Sequence, residues 1–87
     1  MKEKKFIKTP DIDLASTLYT LGFSIAGINP TGIGEQMDFY LDESPEIRKM
    51  IADYWGGLLR VEPRELLLNR REIISRMKKR QYEKKSA

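Results

Sequence analysis

The chain has neither cysteine nor histidine. Lack of cysteine excludes disulfide staples and thiolate metal sites, and it points to a cytoplasmic location. Lack of histidine removes imidazole acid–base catalysis, the Ser-His-Asp and Cys-His triads and the His-based zinc sites. No apolar run approaches the ~18 residues of a membrane span, so no membrane partner is expected. The basic start "MKEKKFIKTP" is not followed by the apolar stretch of a signal peptide, so secretion is not expected either.

What remains for catalysis is carboxylate chemistry, and the acidic residues form no ordered motif for it. Asp11 and Asp13 fall in the expected first turn of one helix, and Asp42, Glu43 and Glu46 surround the start of another. Negative charge there is explained by the positive end of the helix dipole. The "GIG" at Gly32 to Gly34 lacks the rest of a nucleotide-binding fingerprint and is turn chemistry. The chain therefore reads as non-enzymatic, with no catalytic, cofactor or metal residues.

At 87 residues there is room for one domain with a small core. In "TPDIDLASTLYTLGF", Thr9 is placed as an N-cap, Pro10 suits the first helical position, and Leu14, Ala15, Leu18 and Leu21 keep one-face spacing up to the stop at Gly22. The β-branched, glycine-interrupted run from Phe23 to Asn29 favours a strand. After the turn "PTGIGEQ", the run "MDFYLD" alternates Met37, Phe39 and Leu41 with Asp38, Tyr40 and Asp42, the period of a half-buried strand. Together these predict a β-hairpin.

Ser44 and Pro45 open a second helix, in which Ile47, Met50, Ile51, Tyr54 and Trp55 share one face and Gly56 and Gly57 stop the run. Trp55 is expected as a core or helix-packing anchor in preference to an exposed recognition aromatic. "LLRV" is a short connector or third strand. Glu62, Pro63 and Glu65 start a final helix expected over 63–82. The expected class is α+β, in the order α-β-β-α-(β)-α, with the hairpin packed by helices. Residues 1–8 form a basic arm, 9–82 the single domain and 83–87 a disordered tail.

On the last helix, Ile73, Leu66, Met77, Ile74 and Leu67 fall within an arc of about 120°. Arg64, Arg71, Arg76, Lys78, Lys79 and Arg80 occupy most of the remaining circumference, and Arg70 lies inside the apolar arc. Its stem is expected to pack while its guanidinium snorkels to solvent or pairs with an acid of the hairpin or second helix. Charge is segregated: residues 64–87 carry nine basic and three acidic groups, whereas residues 9–63 carry three basic and nine acidic. Those six cations are the candidate contacts for nucleic acid or an acidic partner. The bland alternative is a solvated helix end, where cations favour the negative pole of the dipole.

The combination T-x-D-x-x-L-A, L-G-F, Y-W-x-G and V-x-P, carried here by Thr9, Asp11, Leu14, Ala15, Leu21 to Phe23, Tyr54, Trp55, Gly57, Val61 and Pro63, resembles a family of small bacterial and phage domains of unknown function. That resemblance spans about residues 9 to 82. It implies a compact α+β unit and brings no activity or catalytic residue with it. Two functional expectations follow. The first is a small non-enzymatic binding or regulatory protein, encoded by a phage or mobile element, acting through a host protein or a protein–nucleic acid complex. The second is an accessory domain that binds DNA or RNA without sequence preference through the last helix. Pairing of sheet edges across a homodimer is a further expectation, supported by Leu68, which projects away from the main apolar arc.

Overall fold

A computed structural model of the chain describes the backbone of residues 5–86 and the side chains of residues 5–81. The order is β1 (Phe6–Thr9), α1 (Ile12–Thr20), β2 (Ile25–Pro30), β3 (Met37–Asp42), α2 (Pro45–Trp55) and α3 (Pro63–Ser86). The three strands form one antiparallel sheet in the order β1-β3-β2, which makes this a small α+β domain with a β2–β3 hairpin.

The hairpin matches expectation because its chemistry is local. Gly32 and Gly34 take positive φ in the turn, while Thr31 N–H donates to Gln36 O at 3.1 Å and the Thr31 hydroxyl accepts from Ile33 N–H. On β3 the alternation holds: Met37, Phe39 and Leu41 are buried, and Asp38, Tyr40 and Asp42 lie on the other face.

The sheet differs from expectation at its third strand. The "LLRV" segment pairs with nothing in the sheet; instead "FIKT", assigned to the basic arm, forms β1 beside the central strand β3. Its pattern accounts for this, since Ile7 packs on the core and Thr9 is buried while Phe6 and Lys8 face out. The strand supplies partners for the free edge of β3. Residues 1–4 of the arm lie outside the described residues.

Helix α1 also starts later than expected. Thr9 belongs to β1, and Asp11 is the N-cap, its Oδ1 accepting from Asp13 N–H at 2.9 Å and Leu14 N–H at 3.2 Å. An aspartate cap combines acceptor and charge at the positive pole of the helix. Thr9 Oγ1 instead accepts from Asp11 N–H, fixing the corner before the cap. Ser44 caps α2 as expected, accepting from Ile47 N–H. The α2 stop divides between the two glycines: Gly56 keeps a right-handed backbone and Gly57 supplies the positive φ, 72°. Helix α3 carries regular backbone through Ser86, into the 83–87 segment expected to be a tail; Ala87 lies outside the described residues.

The core is one cluster of Leu14, Ala15, Leu18, Phe39, Leu41, Ile47 and Ile73, with Ile7, Ile28, Met50, Ile51 and Met77 packed at its margin. All of its strand members come from a single phase of the pleat. The helices therefore cover one face of the sheet, in a body only 20 Å through its shortest dimension.

Candidate functional site

The basic helix is seated by its polar contacts as much as by its apolar ones. Glu62 caps it, with Oε2 accepting from Glu65 N–H at 2.6 Å, and among its described side chains Ile73 alone is fully buried. Against α1, Arg70 Nε donates to Asp13 Oδ1 at 2.9 Å, Asn69 Nδ2 donates to Thr20 Oγ1 at 3.0 Å, and Tyr19 OH donates to Glu72 Oε2 at 3.2 Å. Arg70 was expected to meet an acid of the hairpin or of α2; its partner is Asp13 of α1. The reason is orientation: the Arg70 face of α3 lies on α1, within reach of the first-turn carboxylate.

The six candidate cations do not form one surface. At about 100° per residue, Arg64, Arg71 and Lys78 follow one another down the solvent side of α3, and all three are exposed. Arg76 and Arg80 turn toward the domain. Arg76 bonds Glu72 Oε1 at 3.1 Å and lies 5.5 Å over the Tyr19 ring. Arg80 reaches the β2 edge, donating to Ile28 O and Asn29 Oδ1, each at 3.3 Å, while Gln81 Nε2 donates to Glu35 O in the hairpin loop. Arg76, Lys79 and Arg80 line a concave region of about 310 Å³ together with Ile25, Gly27 and Ile28. The structure thus separates a solvent-facing row from a cationic cradle against the sheet edge.

Trp55 is not a core residue. It is 67% exposed, with its ring packed edge-on against Tyr54 at a centroid distance of 5.1 Å. The cause is its place as the last residue of α2, where the chain turns away through Gly56 and Gly57. Leu58, Leu67 and Leu68 are likewise more than half exposed. Beside them a groove of about 400 Å³ is bounded by Tyr54, Leu66, Leu67, Arg70, Asp13 and Thr17. Burial, together with the negative charges of Asp11 and Asp13, raises the Tyr54 phenol above its ordinary pKa.

Among the described residues no group of three acidic side chains is placed to hold a metal ion. No helix of those residues is long and apolar enough to cross a membrane. Two features escaped sequence reasoning: the exposed aromatic end of α2, and the aromatic residues on the outer face of the sheet, Phe6 and Tyr40. The second had a signal in the sequence, since Tyr40 falls on the polar phase of "MDFYLD". Comparison with family models, with curated proteins and with solved structures gave no match, so the resemblance to bacterial and phage domains rests on its motifs alone.

Proposed function

We propose that this chain is a small non-enzymatic binding module that acts on a protein–nucleic acid complex. The apolar end of the domain docks on protein, and the basic side of α3 faces phosphate. The observation that carries this reading is the exposure of Trp55. A tryptophan two-thirds in water, backed by Tyr54 and flanked by exposed Leu58, leaves an apolar patch uncovered at a position where burial would be favourable. The cations near Arg80 lie about 20 Å further along α3 than Leu67, at ~1.5 Å of rise per residue. Both surfaces can therefore be engaged together. Origin in a phage or mobile element, and a host protein as the partner, suit this layout.

The protein half is tested by immobilising the full chain and Trp55→Ser and Leu67→Ser variants on equal footing in lysate. A partner held by the wild type and lost by both variants supports it; identical profiles for all three remove it. Sedimentation of the same proteins shows whether the patch is occupied by a second copy, in which case the two variants shift a dimer to monomer. The nucleic-acid half is favoured by the Arg64, Arg71 and Lys78 row, which is exposed and has no side-chain hydrogen bond or ion pair with another described residue. It requires affinity that falls log-linearly with salt, with a shallower slope once those three are changed to Gln.

A further inference from the structure

The outer face of the sheet carries a polar and aromatic surface whose parts come together only through strand register. Tyr40, on the central strand, has Lys8 of β1 on one side and Gly27 of β2 on the other. Directly paired residues share a face, so Lys8, Tyr40 and Gly27 form a row across the sheet. A cavity of about 350 Å³ lies there, bounded by Phe6, Ala26, Gly27, Asn29 and Tyr40. Gly27 also lines the cradle of Arg76, Lys79 and Arg80. The two concavities thus meet at one residue without a side chain, at the edge where Arg80 grips Ile28 and Asn29.

We propose that this junction is a binding site for single-stranded nucleic acid, with a base stacked on Tyr40 and the adjoining phosphate held by Lys79 and Arg80. The inference rests on the nucleic-acid half of the reading above, names its ligand, and places it on the cradle of Lys79 and Arg80 instead of the Arg64, Arg71 and Lys78 row. Three observations support it. An aromatic ring on an open sheet face beside cations is the arrangement by which single strands are held without sequence preference. Gly27 leaves one side of the Tyr40 position unfilled: a Cβ built there would meet only Asn29 Nδ2, at 3.8 Å, so the space is real and a side chain would fill it. The charges also give the strand a direction. Asp38 and Asp42, two residues either side of Tyr40 on the same face, repel phosphate along β3, whereas Lys8 and the cradle attract it at the two ends of the transverse row. A strand crossing the sheet follows the cations. Among the described residues Arg80 uses two of its five N–H donors, on Ile28 and Asn29, which leaves three to meet phosphate. A base inside a duplex, already stacked and paired, cannot reach the Tyr40 ring.

The test uses the full chain and labelled oligothymidylate, oligouridylate and a duplex of equal length, followed by anisotropy at several salt concentrations. Single strands are expected to bind at least about tenfold more tightly than duplex, within the range of one base–aromatic stack. Tyr40→Leu removes the ring, and Gly27→Val fills the space with a side chain that suits a strand. Each should weaken single-strand binding about tenfold at unchanged salt slope. Lys79→Gln with Arg80→Gln should lower that slope by about one to two, at about 0.7 per phosphate. Irradiation of an iodouridine-substituted oligonucleotide with the unaltered chain should cross-link the peptide containing Tyr40, a result that does not depend on any variant folding. Equal binding of duplex and single strand, insensitive to Tyr40→Leu and Gly27→Val and with no cross-link at Tyr40, overturns this inference and leaves α3 as a phosphate-contacting helix. No binding of any oligonucleotide at low salt overturns both.

Discussion

Ile73 and Trp55 are both large apolar residues on helices, yet one is wholly buried and the other 67% exposed, so the same substitution should have very unequal costs. Ile73→Ala empties part of a seven-residue core and is expected to cost about 2–5 kcal/mol in urea unfolding. Trp55→Ala, which opens no cavity, should cost well under half as much. A Trp55→Ala penalty equal to that of Ile73→Ala would mean the ring is packed after all. Next to it, Tyr54 has its phenol pKa raised by burial and by the charges of Asp11 and Asp13. With the folded-state pKa above the unfolded value of about 10, the folded chain binds more protons in the window between them. The resulting stability is complete below about pH 10 and is lost as pH rises through the raised value. Subtracting the alkaline melting profile of Tyr54→Phe from that of the wild type should isolate this loss; parallel profiles would refute it.

At the scale of elements, the clearest signals in the sequence were those in which a short motif suffices. Ser44-Pro45 begins α2, Gly56-Gly57 ends it, and the strict alternation of "MDFYLD" yields β3 with its buried phase correct. Ser44→Ala should cost about 1 kcal/mol through the lost bond to Ile47 N–H, and Gly57→Ala should cost about as much again because its φ of 72° disfavours a side chain. Chemical denaturation of each variant checks both. Less legible were signals that depend on a distant partner. Four residues of "FIKT" are too few to show a period by themselves, and only the vacant edge of β3 makes them a strand. Thr9 and Asp11 are both competent caps, and the choice between them depends on Thr9 being needed in β1. Of the candidate cations, Arg64, Arg71 and Lys78 could be placed by helical period alone. That Arg76 would cover Tyr19 and Arg80 would hold the β2 edge depends on the crossing of α3 over α1 and the sheet, which no local pattern encodes.

Across the whole molecule, the consequence is that the amino-terminal strand and the carboxy-terminal helix secure opposite edges of the same sheet. β1 pairs with one side of β3, while Arg80 and Gln81 bond β2 and the hairpin loop from the other side. With three short strands and one covered face, losing β1 leaves a two-stranded hairpin, which is marginal in water on its own, and losing α3 uncovers the core face. A chain lacking residues 1–8 therefore discriminates sharply between a strand and a solvated basic arm. Deletion of an arm would leave thermal unfolding unchanged, or raise stability slightly by removing like charge. Deletion of β1 removes Ile7 from the margin of the core and exposes Phe39 and Leu41 along the vacated edge. The expected outcome is loss of the cooperative melt by circular dichroism, with β3 amide protons exchanging at rates close to those of the unfolded chain. An intact melt in the truncated protein would show that β2, β3 and the three helices suffice, and that the sheet tolerates an open central strand.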